Sequence, residues 1–158
     1  MHHLTIDLPT PVKKSPRARL LVVDDDPLIR ELHAAVLRMD GYEVAIAKDG
    51  VAALELLAEE RFDLVLTERH MPKFDGASIV LALRSAGSRI PMIMVSGSLP
   101  DTPLPPEIVR EISVAIPKLA RTAEVLSAVA RALSPAPPGE KARAVFGGSN
   151  FWPPDQSQ

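Results

Sequence analysis

Short apolar runs recur along the chain and alternate with segments of helical periodicity. The runs at Arg19–Val23, 63–67 and 91–96 are nearly continuous in apolar residues and lack the polar alternation of a strand that faces water on one side. Such strands are typical of a parallel sheet that is covered by helices on both faces. Two further segments, 42–47 and 113–116, also have the composition of strands.

Helical patterns fill the intervals between these runs. Asp26 is predicted to cap a helix that begins at Pro27 and ends before Gly41, since proline suits the first helical position and glycine the end. Its apolar residues recur at helical spacing: Leu28, Ile29, Leu32, Val36, Leu37 and Met39. Further helices are predicted at 51–60, 75–86 and 122–133, with at most a short one at 106–112 in a proline-rich stretch.

Five strands that alternate with helices predict right-handed crossovers and one α/β domain. We place this domain at residues 19–133, with a doubly wound parallel sheet. The flanking segments, 1–18 and 134–158, are rich in proline and are predicted to be disordered tails. Within the second tail, 146–152 contains the only tryptophan and is interpreted either as a docking peptide or as a loose end that touches its own domain.

Composition excludes several classes of function. The chain has no cysteine, so it has no disulfide, thiolate metal site or cysteine nucleophile. No apolar run reaches the roughly 18 residues of a membrane span, and the N-terminus lacks a secretory signal. The net charge of −2 says little about partners, and the basic run at 13–19 is interpreted as a solvated tail rather than a nucleic-acid contact. We therefore expect a cytoplasmic protein that binds neither nucleic acid nor membrane.

Polar side chains follow the ends of four predicted strands. Asp24 and Asp25 follow the first, Glu68 the third, Ser96 ends the fourth and Lys118 follows the fifth. Ligands of parallel sheets bind beyond the carboxyl ends of the strands, so these groups are predicted to share one crevice. Clustered carboxylates suit Mg²⁺ or Mn²⁺, while a hydroxyl and a lysine suit a phosphoryl group. The set is what phosphoryl transfer to a carboxylate requires.

These segments resemble the receiver domain of two-component response regulators. The resemblance rests on 22–27 (Val-Val-Asp-Asp-Asp-Pro), Met71-Pro72 with Asp75-Gly76 after a buried strand, 94–97 (Met-Val-Ser-Gly) and Lys118, and it spans about residues 19–133. It implies a (βα)5 flavodoxin-like fold and Mg²⁺ held by an acidic cluster. It also implies phosphorylation of one aspartate by a histidine kinase.

Residue by residue, the resemblance assigns roles at the strand ends. Asp24 and Asp25 match the acidic pair that holds the metal, and the carbonyl of His70 matches a backbone metal ligand. Ser96 matches the switch hydroxyl and Lys118 the family lysine that contacts the phosphoryl group. Glu68, three residues before Met71, occupies the position of the phosphoacceptor aspartate and completes the predicted metal ligands.

Glu68 is the main departure from the family pattern. Its side chain is one methylene longer than aspartate, which displaces the carboxylate from in-line attack, and a misplacement of ~1 Å can cost ~100-fold in rate. The extra length also moves the negative charge toward Ser96 and Lys118, where it could imitate a phosphoryl group. A drifted residue in a site that no longer switches is the alternative. Ala115 replaces the family's usual aromatic, and Leu119 the usual proline.

The leading hypothesis is a stand-alone, atypical receiver, or pseudo-receiver, that is not an enzyme. It would act by contact with a histidine kinase or a downstream protein, with Mg²⁺ optional. The short tail after residue 133 is expected to leave no room for a DNA-binding domain. Two alternatives stay open: a phosphorelay receiver phosphorylated on Asp25, and a Mg²⁺-dependent phosphatase with Asp24 as nucleophile and Asp26 two residues on.

His33 is expected to be exposed or partly packed, and the His70 side chain to face solvent.

Overall fold

The computed structural model describes residue 10 and residues 15–97 and 103–135. Most of the two predicted tails, including the aromatic segment 146–152, and part of the proline-rich stretch at 98–102 lie outside the described residues. Within the described ranges, no helix is long and apolar enough to cross a membrane.

Strands and helices alternate from Arg19 to Leu133 in the predicted order. The strands are β1 (Arg19–Val23), β2 (Glu43–Ala47), β3 (Leu64–Glu68), β4 (Met92–Ser96) and β5 (Val114–Pro117). The helices are α1 (Pro27–Met39), α2 (Gly50–Glu59), α3 (Gly76–Ser85), α4 (Pro106–Val109) and α5 (Thr122–Leu133). As predicted, Asp26 caps α1 by accepting from the amides of Leu28 and Ile29.

The five strands form one parallel sheet in the order β2-β1-β3-β4-β5. One core cluster packs between the sheet and helices α1 and α5, and a second packs between the other face and helices α2, α3 and α4. The flavodoxin-like α/β fold that the resemblance implied is therefore confirmed. Because all strands run the same way, their carboxyl ends meet at one edge.

Helix α1 differs from the prediction in the face that it buries. His33, Ala34 and Leu37 are buried, so the expectation that His33 is exposed or partly packed was wrong. Leu28, Leu32 and Met39, which share the predicted apolar spacing, are 75%, 55% and 89% exposed. The apolar residues of α1 cover more than one side of the helix, and only contact with the sheet selects the side that is buried.

The segment around α4 is short, as its prolines predicted, yet it is attached firmly. Leu104, Ile108 and Ile112 are buried in the second core cluster. Arg84 of α3 donates from Nε to Glu111 Oε2 at 3.1 Å and from a terminal nitrogen to the Glu111 carbonyl at 2.6 Å. This arginine therefore holds the end of the α4 segment against α3.

Candidate functional site

Asp24 follows β1 directly and lies almost completely buried at the carboxyl edge of the sheet. Its Oδ1 accepts the backbone N–H of Asp26 at 2.9 Å, while Arg30 donates to its carbonyl at 2.7 Å. Side chains alternate along a strand, so Asp24 lies on the same side of the sheet as Val22, toward the first core cluster. The start of α1 therefore fixes this carboxylate in place.

Glu68 is the last residue of β3 and is only 3% exposed. It pairs with Val95 of β4 in the register of the sheet and lies on the same side as Asp24. Its Oε1 accepts the backbone N–H of His70 at 3.1 Å. Within the described ranges no well-aligned hydrogen-bond donor reaches Oε2, and this oxygen instead lies in an ion pair with Lys118.

Lys118 joins the two buried carboxylates. Its Nζ lies 3.1 Å from Glu68 Oε2 and 3.6 Å from Asp24 Oδ1. The lysine backbone N–H donates to the carbonyl of Ser96 at 3.0 Å. Its stem runs beside Gly97, where an added β-carbon would lie 3.8 Å from the lysine Cδ, at ordinary van der Waals distance. The end of β5 and its bond to β4 thus aim the ammonium group into the pocket.

The electrostatics follow from burial and from this charge arrangement. Burial raises the pKa of the Asp24 carboxyl, because it disfavours the charged form, although the Asp26 amide and Lys118 act against it. Burial by itself lowers the pKa of Lys118, but contact with Glu68 and the negative charges of Glu68, Asp24 and Asp25 outweigh it and raise the pKa. The ammonium form of Lys118 is therefore strongly favoured in this pocket.

The other residues that the sequence predicted for the site lie around the ion-paired group of Asp24, Glu68 and Lys118. Asp25 is exposed, and its charge acts on both Asp24 and Lys118. Ser96 is fully buried at the end of β4. The His70 side chain is exposed, as predicted, and its backbone N–H rather than its carbonyl contacts Glu68. Within the described ranges, no three His, Asp or Glu side chains converge closely enough to hold a metal ion.

Two residues beside the site were given no role in it from the sequence, although Gly76 belongs to the Asp75-Gly76 motif. Arg69 is only 8% exposed and donates to the carbonyl of Pro103 at 3.1 Å, which links the end of β3 to the segment before α4. A β-carbon at Gly76 would lie 2.5 Å from the carbonyl oxygen of Glu68 and 2.7 Å from the sulfur of Met94. The start of α3 therefore packs against the backbone of Glu68 so closely that only glycine fits.

His33 lies beneath the pocket on the buried face of α1. Burial and the positive charge of Lys118 lower the pKa of its imidazole, and Glu68 acts against this shift. Its Nδ1 is buried and has no hydrogen-bond partner in the described part of the chain. The imidazole is thus a neutral, buried group whose pKa depends on the charges of Lys118 and Glu68.

Comparisons with known proteins agree with the observed fold and with the order of the sequence motifs along the chain. The family model described as "Response regulator receiver domain" matches residues 20–130. Response regulator MprA of Mycobacterium sp. (strain KMS) is 42% identical over 78 residues, which cover 49% of this chain and 34% of that protein. Response regulator MprA of Mycobacterium ulcerans (strain Agy99) is 41% identical over the same length. The chain spans about one third of the length of these curated relatives.

Solved structures show the same architecture. The receiver domain of the Francisella response regulator 1452 is 26% identical with a TM-score of 0.68, and the match covers 73% of this chain and 96% of that one. Chemotaxis response regulator CheY4 of Vibrio cholerae is 28% identical with a TM-score of 0.66, covering 73% of this chain and 98% of that one.

Proposed function

Because the chain belongs to the response regulator receiver domain family, we propose that it signals by protein–protein contact without being phosphorylated at Glu68. The observation that carries this proposal is the Glu68 carboxylate, which is 3% exposed and lies 3.1 Å from the Lys118 ammonium. A phosphoacceptor must present a free oxygen to its donor in line. Here one carboxylate oxygen accepts the His70 amide and the other lies against Lys118.

The same contact favours imitation of the phosphorylated state over simple drift. Lys118 is the residue that the family resemblance assigns to the phosphoryl group, and in this chain it pairs with the Glu68 carboxylate. Glutamate supplies one charge, whereas a phosphoryl group supplies nearly two, so the imitation is partial. Ala115 is buried in β5 and has no aromatic ring to move, so the proposed signal does not use an aromatic switch.

The partners that we propose are a histidine kinase or a downstream signalling protein, with Mg²⁺ optional. The relatives named response regulators are about three times as long as the matched part, so the output of a whole protein of that kind is not transferred to this chain. The stand-alone arrangement, the absence of nucleic-acid binding, the cytoplasmic location and the lack of enzyme activity stay predictions from the sequence.

The test is phosphorylation by a small-molecule phosphodonor with Mg²⁺, measured by intact mass. We expect the wild-type mass to stay unchanged and Glu68→Asp to gain one phosphoryl group, because aspartate restores the shorter acceptor. A stable phosphoryl group on Asp25 of the wild type would overturn the proposal. If the Glu68→Asp protein also fails to react, the loss of phosphorylation does not come from Glu68 and that part of the proposal fails.

One observation keeps Asp25 as the second candidate. Among the acidic residues predicted for this site, Asp25 is exposed, whereas Asp24 and Glu68 are buried. A donor could therefore reach Asp25 without displacing Lys118. The phosphatase alternative has less support, since Asp24 is buried in the ion pair and Asp26 serves as the helix cap. Loss of the phosphoryl signal in Asp25→Asn would identify Asp25 as the acceptor.

A further inference from the structure

We infer that the outer face of helix α1 docks a second copy of this chain, and that the two α1 helices pack antiparallel along it. This outer α1 face consists of Leu28, Leu32, Ala35 and Met39, all of them exposed. It lies outside the pocket of acidic residues, so the pairing of two copies does not depend on the state of Glu68.

The outer α1 face is apolar where a surface helix is normally polar. A helix turns by about 100° per residue, so the four side chains lie within about 60° of one another, on the side away from the buried His33 and Leu37. A helix that packs on a sheet usually presents charged or polar residues on that side. A contiguous exposed apolar patch marks an interaction site.

The spacing of these residues fits another helix. Along α1 the four positions recur at alternating intervals of four and three residues, which is the spacing of the seam between two packed helices. The helix has 13 residues, so the seam is about 20 Å long. In an antiparallel pair, Leu28 of one copy lies against Met39 of the other. Leu32 lies against Ala35, so a large side chain meets a small one at the centre of the pair.

The charges beside the outer α1 face favour a second copy as the partner. Glu31 and Arg38 are exposed and lie along the same side of the seam, two helical turns apart. Among the described residues neither forms an ion pair. Arg38 donates to the carbonyl of Val44 at 2.8 Å, which holds its guanidinium beside the helix.

An antiparallel arrangement makes this helix complementary to itself. Glu31 of each copy then faces Arg38 of the other, and two-fold symmetry produces this contact twice. In a parallel pair, Glu31 would instead face the apolar Val36. The charges therefore favour both the second copy and its direction.

The pairing leaves the pocket uncovered. Helix α1 begins at the carboxyl edge of the sheet, so the two pockets lie at opposite ends of the helix pair, about 20 Å apart along its axis. The contact is small beside a standard interface of about 20–30 residues a side. We therefore expect weak association, with a Kd on the order of 0.1 mM.

The experiment is sedimentation velocity on the full chain from about 10 to about 500 µM, on both sides of the expected Kd. Wild type, Leu32→Glu and Leu81→Glu are compared. Leu81 is 50% exposed on α3, which covers the other face of the sheet, whereas Leu32 is 55% exposed. The control therefore adds the same charge to a similarly exposed leucine away from α1.

We expect the wild-type sedimentation coefficient to rise with concentration. Leu32→Glu should weaken the association at least about tenfold, because an unpaired charge is costly to bury. Leu81→Glu should stay within about twofold of wild type. A wild-type protein that stays monomeric up to the highest concentration would overturn the inference, and so would equal weakening by both variants.

Charge reversal tests the pairing of Glu31 with Arg38. Glu31→Arg brings two positive side chains together in both contacts, and we expect about tenfold weaker association. The double variant Glu31→Arg with Arg38→Glu restores opposite charges in both contacts and should return to within about threefold of wild type. Such recovery requires that both partners carry the same substitutions. A double variant that is folded by circular dichroism but associates no better than Glu31→Arg would overturn the antiparallel pairing.

Two further readouts separate a second copy from other occupants of the outer α1 face. In a concentration series of wild-type amide NMR spectra, the shifts should change at Leu28, Leu32 and Met39, and changes confined to other helices would overturn the inference. Trp152 is the only tryptophan. Its fluorescence at about 1 µM, where the chain is monomeric, should be the same in wild type and Leu32→Glu. A difference would show that the segment 146–152 occupies this face, which would also overturn the inference.

Discussion

Individual charged residues at the carboxyl edge of the sheet determine what the pocket can do. A buried carboxylate is costly unless it is paired and hydrogen-bonded, and Glu68 and Asp24 meet this requirement through Lys118 and through backbone amides. The Glu68 side chain brings its Oε2 to 3.1 Å from the lysine Nζ. The proposed function predicts that this ion pair takes the place of a phosphoryl group.

His33 carries a pH-dependent prediction. Its pKa is lowered in the folded protein below the ordinary histidine value of 6.5. The unfolded chain therefore takes up a proton first as the pH falls, and stability is lost progressively below about pH 6.5. We expect His33→Leu to remove this part of the loss. The measurement is the free energy of unfolding in urea above and below pH 6.5. An identical pH slope in wild type and His33→Leu would contradict the assignment.

Helices and strands place these residues through close contacts between elements. The start of α3 packs against the last residue of β3 at Gly76, and Arg84 holds the α4 segment against α3. Arg69 adds a link from β3 to the segment before α4. These three contacts join the strands and helices around the pocket to one another. They favour one fixed arrangement of these elements over two alternating arrangements.

Gly76 tests the contact between α3 and β3. Gly76→Ala would place a methyl group 2.5 Å from the Glu68 carbonyl oxygen, so the backbone must shift. We expect a loss of about 1–3 kcal/mol in the free energy of unfolding, as for overpacked cores. Gly97→Ala is the control, since its β-carbon meets only ordinary contacts, and it should change stability by no more than about 0.5 kcal/mol. Equal effects in both variants would show that the close approach is unimportant.

Arg84 tests the attachment of α4. Arg84→Ala removes two hydrogen bonds to Glu111 and leaves that partly buried group without its partner, so we expect a loss of about 1–3 kcal/mol. Amide hydrogen exchange should accelerate at Ile112 and its neighbours. Arg89 also faces Glu111, but at 3.8 Å and with 81% of its side chain exposed. Arg89→Ala should therefore cost less than about 1 kcal/mol. Similar exchange rates in both variants would rule out a holding role for Arg84.

In the described part of the whole molecule, the packed interior consists of two core clusters on the faces of one sheet. Both clusters consist of residues between Ala18 and Leu133. The sequence places the disordered tails at 1–18 and 134–158, so Ala18, the last residue of the first predicted tail, packs against a core cluster; the division itself stays a prediction. The functional edge is built from four separate strand ends, so it depends on the complete sheet and not on any one segment.

A shortened chain of residues 15–135 tests the predicted division. If the tails add no packing, its melting temperature should equal that of the full chain, measured by circular dichroism. For a chain of this size a loss of 1 kcal/mol lowers Tm by at least about 2–4 °C, so even a modest contribution from the tails would be visible. A clear drop in Tm would show that one of the tails packs against the domain.

The sequence by itself determined the order of strands and helices, the α/β fold and the residues that gather at the carboxyl edge. These follow from local patterns: continuous apolar runs, the Asp26-Pro27 cap, and the rule that parallel strands end at one edge. Only the tertiary structure decided which side of α1 is buried, that Arg69 reaches Pro103, and that Lys118 lies between Asp24 and Glu68. The physical reason is distance along the chain. Packing and ion pairing join residues far apart in sequence, whereas the period of a helix or strand is a property of neighbours.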